Sequence, residues 1–314
     1  MRILIVGAGA IGGYFGGRLL QAGRDVTFLV RPRRAAQLAQ SGLSIRSPRG
    51  DADIAAPTIT ADQLRAPYDL VLLSCKAYDL DEAMAAFAPA VGTGTSILPL
   101  LNGMHHLDLL DARFGTATVL GGQCLISATL DEEGRVRHLA DTHNLSFGSR
   151  AAGATARLDA IAESLSGANF DSRCSETILQ DMWEKWVFIA TGAGITCLMR
   201  AAIGDVVAAG AADLATALLE ECAAIATHQG FAPGAAAMQR SRAAFTTPGS
   251  GLTASMLRDV ERGARTEVDH VLGDLLRRAG GDHPRLSLLR IARDHLAAYE
   301  ARRARGIAAA AIAA

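Results

Sequence analysis

The chain of 314 residues is short of several things, and each lack removes a class of protein. It has no excess of charge of either sign: 31 Lys+Arg stand against 32 Asp+Glu, so there is no broad basic field to bind nucleic acid or an anionic membrane. Cysteine is sparse and scattered. Cys75, Cys124, Cys174, Cys197 and Cys222 form no C-x-x-C pair and no even framework, which excludes a disulfide scaffold and fits a reducing compartment with thiols packed in the core. Long apolar runs are missing too. Trp186–Met199, the longest uncharged apolar stretch near the middle, falls short of the roughly 20 residues that span a bilayer and contains Gly192 and Gly194. Arg2 ahead of an apolar run resembles the start of a secretory leader, but no clear small-residue cleavage pattern follows, and a cytoplasmic protein is expected. There is no internal repeat and no metal-ligand cluster. The eight histidines are dispersed, and the adjacent His105 and His106 do not set up a shared metal on a helix.

What is present is concentrated at the N-terminus. Met1–Val6 reads as a buried parallel strand and runs directly into Gly7-Ala8-Gly9-Ala10-Ile11-Gly12, after which a helical pattern continues to about Ala22 and stops at Gly23. A glycine-rich turn alone says little. Between a strand and a helix, with a second strand at Asp25–Val30, G-x-G-x-x-G becomes a dinucleotide fingerprint. Gly7 permits the tight turn, Gly9 lets a pyrophosphate approach the backbone, Gly12 allows close helix–strand packing, and the free N–H groups of the helix start favour an anion.

The second strand ends in Leu29-Val30-Arg31-Pro32-Arg33-Arg34. The carboxylate that would hold the adenine ribose of NAD is absent there. Three arginines stand where the 2′-phosphate of NADP would lie, and guanidinium geometry matches phosphate, so NADP is expected, with Arg31 as the main contact and Arg34 as an alternative. A solvated basic turn is the other reading.

Further along, Leu43–Arg46 and Asp53–Thr60 flank a hairpin turn at Ser47–Asp51, and Leu70–Leu73 reads as a buried parallel strand ending in Ser74-Cys75-Lys76. Ser96–Leu101 is a strand containing Pro99 and ending in Asn102-Gly103-Met104. Strand C-terminal ends face the ligand crevice of an open α/β sheet, which puts Lys76 and Asn102 beside the cofactor. More strands are expected at Thr118–Ile126, Arg135–Leu139 and Leu145–Phe147.

After Cys174 the pattern turns helical. Thr177-x-x-Gln180 reads as a capping box, followed by helices over 178–199, 212–229, 235–244, 251–279 and 285–304, with a frayed alanine-rich end at Ile307–Ala314. The expected organisation is an α/β Rossmann domain over residues 1–175 and an all-α domain over 176–314.

Three features of the second half bear on chemistry. Lys185 sits in an otherwise apolar helix, Trp183–Ile189; it is either a snorkelling surface lysine or a proton donor to a carbonyl oxygen. Ser255, Asp259 and Glu267 lie on a broad stripe if 251–279 is one helix, with Gly263 leaving room for an approaching group; with Arg258, Arg262 and Arg265 nearby they equally fit a solvated polar face. The small residues Ala190, Ala193 and Gly194 suit either helix packing or a pocket.

Taken together, Gly7–Gly12, Lys76-Ala77, Leu101–Met104, Trp183-Glu184-Lys185, and Ser255-Met256-Leu257-x-Asp259 with Arg265–Asp269 resemble the ketopantoate reductase (2-dehydropantoate 2-reductase) family, in the family's order over most of the chain. The resemblance implies a Rossmann domain followed by a helical domain of the 6-phosphogluconate dehydrogenase-like type, in a monomer or homodimer. It implies NADPH-dependent reduction of a 2-oxo acid in a cleft that closes between the domains, ketopantoate to pantoate in pantothenate biosynthesis. By the same resemblance Lys185 is the general acid, Glu267 its carboxylate partner, Asn102 and Lys76 cleft residues near the nicotinamide, and Ser255 a substrate-carboxylate contact, with Asp259 beside it.

One departure matters. Family members acting on ketopantoate carry asparagines four and eight residues after the lysine, then a proline; here those positions are Ile189, Ala193 and Gly194. Both residues share Lys185's side of the helix and cannot pair a substrate hydroxyl, so a 2-oxo acid with a more apolar or differently shaped tail is expected. A bridging water or another residue in place of the asparagines would keep ketopantoate. A nucleotide-sensing protein without catalysis is a third reading, against which stands the joint retention of Lys185, Glu267, Asn102 and Ser255.

Overall fold

Residues 2–6 and 70–73 are fully or nearly fully apolar runs, and a strand buried on both faces needs such a sequence. In the computed structural model, which describes residues 1–151, 156–280 and 287–313, they are the central strands of a parallel sheet. The chain runs β1 (Arg2–Val6), α1 (Ala10–Gln21), β2 (Asp25–Leu29), α2 (Pro32–Ser41), β3 (Leu43–Arg46), β4 (Ala52–Ile54), β5 (Thr58–Ile59), β6 (Leu70–Leu73), α3 (Leu80–Phe87), β7 (Ser96–Pro99), α4 (His105–Phe114), β8 (Gly121–Leu130), β9 (Val136–Gly148), α5 (Ala156–Leu165) and β10 (Asp171–Cys174). It continues as α6 (Ile178–Met199), α7 (Ile203–Ala208), α8 (Ala212–His228), α9 (Ala235–Thr246), α10 (Ser255–Glu261), a π-helical turn (Asp269–Gly273), α11 (Asp274–Arg277) and α12 (Leu288–Ala313).

Contacts divide the chain into two compact units, residues 1–101 with 106–178, and residues 102–105 with 179–314. The first is a Rossmann unit. Its parallel sheet has the order β5-β2-β1-β6-β7. The order reverses between β1 and β6, so the carboxyl ends of those two strands flank the crevice where an open α/β sheet binds its ligand.

A second, mixed sheet, β10-β9-β3-β4 with β8 on β9, lies across α1. Helix α1 is thereby packed on two sides. A methyl added at Gly16 would fall 2.7 Å from the Phe28 ring of the first sheet. One added at Gly13 would fall 2.8 Å from Val136, and one at Gly17 2.7 Å from Ile45, both of the second. Residues four apart share a helix face, so glycine at 12, 13, 16 and 17 makes two thin faces side by side.

The second unit is helical, and α6 forms its centre. Trp183 and Trp186 pack at 4.8 Å between ring centroids, and Trp183 stacks on Phe231. At Gly194 an added methyl would meet Leu218 of α8 at 2.7 Å and Ala292 of α12 at 3.4 Å, so this glycine serves helix packing. Among the described residues no helix is long and apolar enough to cross a membrane.

Several sequence expectations need correction. The strand expected over Asp53–Thr60 is two strands in different sheets, because β4 pairs with β3 while β5 pairs with β2. The strand starting at Ser96 stops at Pro99, although the Leu100 N–H still donates to the Leu73 carbonyl at 2.8 Å. Arg135–Leu139 and Leu145–Phe147 are parts of one long strand, β9, which the paired hairpin partner β8 carries through an irregularity near Ile126. The capping box does not form. The Gln180 amide is spent on Glu184 and on the Ala232 carbonyl, and the Thr177 N–H goes to Ser175 Oγ. The C-terminal helix runs on through the alanines to Ala313 rather than ending at 304; Ala314 and the start of the expected 285–304 helix lie outside the described residues.

The largest correction concerns the expected helix over 251–279, which is broken at Gly263. That residue has φ +68, its N–H bonds to the Val260 carbonyl, and the Ala264 N–H bonds to the Asp259 carbonyl. This is a Schellman ending, for which a glycine in the left-handed region is the usual residue. The Ala264 carbonyl then accepts from Tyr299 and the Thr266 N–H and hydroxyl donate to Glu300, which fixes the following loop to α12. Ser255 and Asp259 share α10, but Glu267 lies beyond the break, so the three do not form a stripe on one helix.

Candidate functional site

The glycine turn is built from the main chain. Gly7 has φ +92, a conformation that a residue with a Cβ rarely adopts, and its N–H bonds to the Leu29 carbonyl. Helix α1 starts at Ala10 with Gly9 as its N-cap and no side-chain cap. A Cβ at Gly9 would meet nothing within 4 Å, so the turn is open at the position a pyrophosphate would approach. A Cβ at Gly12 would lie 2.1 Å from the Gly7 carbonyl oxygen and 2.2 Å from Ser74 Oγ, which is why the helix can close on the turn only with glycine there. The first turn of α1 carries no acidic residue, and the first N–H groups of a helix have no partner within it. A helix N-terminus without a side-chain cap, with room at Gly9, fits a dinucleotide phosphate.

Two residues brace this turn: Ser74, which sequence reasoning missed, and Arg34, which it offered as an alternative 2′-phosphate contact. Ser74 Oγ donates to the carbonyl of Val6 at 2.9 Å and is near that of Gly7 at 3.3 Å, tying the end of β6 to the end of β1. Its place at a strand end was the available signal. Arg34 donates to the Ala8 carbonyl (3.2 Å), to Gln37 (2.7 Å) and to the Gly134 carbonyl (3.0 Å). Half-buried, with burial pushing its pKa down, Arg34 is a brace for the glycine turn. Arg31, at the N-cap of α2, is exposed and paired with carboxylates. Lys76 is half-buried at the N-cap of a short 3-10 turn, Ala77–Asp79, just past β6.

In the helical unit, the ammonium of Lys185 lies 3.0 Å from Asn102 Oδ1. The two are 83 positions apart, and Asn102 reaches α6 because residues 102–105 pack with this unit. The next residue, Gly103, has φ +77, and a Cβ there would lie 2.9 Å from the His270 carbonyl oxygen, so the Asn102 turn sits directly on the π-helical turn. His270 also hydrogen-bonds the Asn102 backbone. Burial holds the His270 imidazole below its ordinary pKa, partly offset by the Glu267 carboxylate. The same π-helical turn offers the Val271 carbonyl to the Trp186 indole N–H at 2.8 Å. A π turn displaces the regular hydrogen-bond ladder and often marks functional positions. Here it bonds both to the Asn102 backbone and to α6 one residue after Lys185.

Glu267 opens that turn, its backbone carbonyl accepting from His270 and Val271. Ile189 is half-buried and Ala193 only 3% exposed. Ser255 is exposed at the start of α10, and Asp259 is half-buried one turn later.

A glycine-turn nucleotide unit joined to a helical unit that holds an amide-bound lysine defines a two-domain, dinucleotide-binding oxidoreductase. The comparisons agree. Family models described as Ketopantoate reductase PanE/ApbA and its C-terminal part match residues 3–152 and 177–291, and the chain belongs to that family. An uncharacterized oxidoreductase of Bacillus subtilis, YkpB, is 37% identical over 89% of this chain and 92% of its own length. A 2-dehydropantoate 2-reductase of Halobacterium salinarum is 27% identical over 89% and 92%. The crystal structure of a 2-dehydropantoate 2-reductase from Geobacter metallireducens superposes with TM-score 0.85 at 27% identity, covering 94% of this chain and 99% of that one. A D-mandelate dehydrogenase with bound NADH and anilino(oxo)acetate has the same fold, with TM-score 0.86 at 20% identity over 96% and 99%.

Proposed function

We propose that this oxidoreductase reduces a 2-oxo acid to the 2-hydroxy acid with NADPH, that Lys185 donates the proton, and that the acid's tail is more apolar than that of ketopantoate. The observation that carries this reading is the 3.0 Å contact between Lys185 Nζ and Asn102 Oδ1. The overall change is 2-oxo acid plus NADPH plus H⁺ to 2-hydroxy acid plus NADP⁺. A bound dihydronicotinamide supplies the hydride, and the protein supplies position and charge. As the hydride reaches C2, negative charge grows on the carbonyl oxygen. A placed ammonium stabilises that charge and gives up its proton. Asn102 accepts an N–H of the ammonium and so fixes a long flexible side chain at the site.

Glu267 is the carboxylate that keeps this lysine charged and oriented, and Ser255, with Asp259 on the same helix, holds the substrate carboxylate. Gly7, Ala8, Gly9, Ala10, Ile11 and Gly12 hold the pyrophosphate, Lys76 lies along the dinucleotide, and Arg31 reads the 2′-phosphate. In this division residues 1–175 bind the dinucleotide and residues 176–314 the acid.

Ile189 and Ala193 favour the apolar tail. A hydroxyl buried against them loses its hydrogen bond, at about 1–3 kcal/mol. The fold does not choose between acids, since 2-dehydropantoate reductases and a D-mandelate dehydrogenase share it. If ketopantoate is the substrate after all, the enzyme serves pantothenate biosynthesis. Following NADPH absorbance with a panel of 2-oxo acids tests the reading. The panel should include ketopantoate and its analogue lacking the hydroxyl. A clear kcat/KM preference for ketopantoate would sink the tail assignment. No turnover with any acid, while NADPH still binds, would favour a nucleotide sensor.

A further inference from the structure

We propose that Asp79 and Glu82 set how sharply this protein distinguishes a 2′-phosphorylated dinucleotide from an unphosphorylated one, by holding Arg31 in ion pairs that compete with a 2′-phosphate. The inference rests on the reading that Arg31 meets the 2′-phosphate, and it adds the two residues that oppose it.

The carboxylate missing from the end of β2 is supplied from another part of the chain. Arg31 presents Nη2 at 2.5 Å and Nε at 3.2 Å to the two carboxylate oxygens of Glu82, a forked contact, while Asp79 stands 3.5 Å from the same Nη2. Glu82 lies in the first turn of α3 and Asp79 ends the short turn before it, so both project from the segment that follows β6. Their hydrogen bonding and charge hold the Arg31 guanidinium above its ordinary pKa, Glu82 foremost.

A fork of two parallel N–H groups is also what a phosphate asks of arginine. One guanidinium edge cannot serve both at once. Arg34 does not offer a substitute, since it is spent on Ala8, Gln37 and Gly134. A 2′-phosphate, carrying roughly −1.5 to −2 charges near pH 7 by analogy with other phosphate esters, competes with Glu82 for this edge and, on whichever edge it binds, stays close to the negative charge of Glu82 or Asp79. A bare ribose meets the opposite situation. Its hydroxyls are donors, and a carboxylate at this place is the usual acceptor for them. The site thus holds a cation for the phosphate and two anions for the diol, which narrows discrimination in both directions.

Arg31 and Glu82 are exposed, at 62% and 66%, and Asp79 is half-buried at 35% beside the exposed arginine, so each carboxylate has a modest effect. Neutralising one should change the NADH-to-NADPH Kd ratio about threefold, and both about tenfold, in line with exposed ion pairs. The test is titration of the full chain with NADPH and NADH, and with 2′,5′-ADP and 5′-AMP as probes that lack nicotinamide. Glu82→Gln, Asp79→Asn, the double variant and Arg31→Ala are compared with the parent. The expected result is tighter NADPH and 2′,5′-ADP in the carboxylate variants, with NADH and 5′-AMP unchanged or weaker. If Arg31→Ala selectively weakens NADPH but the carboxylate variants leave the ratio where it was, this inference is overturned and the NADPH reading stands. If Arg31→Ala weakens both cofactors alike, the arginine does not read the phosphate, and the two fall together.

Discussion

In residues 7–12 the geometry is set by the main chain, and the side chains matter by being absent; at Lys185 and Asn102 it is set by side-chain atoms that meet across 83 positions of sequence. The first arrangement is broken by adding an atom, the second by removing one. The first also explains itself locally, through strand, turn and helix in sequence, whereas the second depends on a distant loop packed against a π-helical turn.

The largest effect should come from the side-chain region. Lys185→Ala is expected to lower kcat by about 10²–10⁴-fold, the range for a lost general acid, while dinucleotide affinity stays at the parent value. Near-parental kcat would mean that Lys185 does not donate the proton. The matching break in the main-chain region is Gly12→Ala. One methyl, placed 2.1 Å from the Gly7 carbonyl, should cost about 1–3 kcal/mol of stability, read as a lower Tm, and weaken both NADPH and NADH together. If only one cofactor weakened, the turn would be reading more than the shared pyrophosphate.

A substitution that adds capability sharpens the contrast. Ile189→Asn with Ala193→Asn should move kcat/KM toward ketopantoate by about tenfold, the lower part of what one buried hydrogen bond supplies. No shift would place the tail elsewhere.

The smallest effect is a pH dependence. Burial lowers the pKa of His143, whose Nδ1 lies 2.7 Å from the Tyr14 hydroxyl, and of His270. Both are favoured neutral in the folded protein, so the unfolded chain binds more protons in the range below its ordinary histidine pKa of about 6.5. Stability is then full above that pH and declines on acidification toward the lowered native values. Tm should fall between pH 7 and 5.5, and His143→Gln should flatten the decline. An unchanged slope would show that His143 carries none of it.

Much of the nucleotide unit was legible because its glycines fall between a buried-strand pattern and a helical one, where each has a steric reason to be there. The second sheet was not. β8 and β9 are held by each other and by strands from residues 43–46 and 171–174, and no local pattern announces those pairings. On the catalytic side, Lys185 and Asn102 could be named from the resemblance, but what holds Asn102 could not. His270 is separated from it by most of the chain and touches its backbone. Glu267 was misplaced for a plain physical reason: a spacing argument counts residues along a continuous helix, and Gly263 ends that helix. Arg31 and Arg34 looked alike in sequence, and only their partners separate an exposed ion-pairing arginine from a half-buried brace.

The thinness of α1 limits what can be exchanged in this protein. With one flank fitted to Phe28 and the other to Val136 and Ile45, the helix after the glycine turn is no detachable cofactor cassette. A chimera that borrows residues 1–30 from a relative inherits a helix whose other side was shaped by that relative's second sheet. Substitutions at exposed positions such as Arg31 and Glu82 leave this packing intact, whereas replacing the turn does not. Whoever moves the turn must move the strands at 43–46 and 136–148 with it.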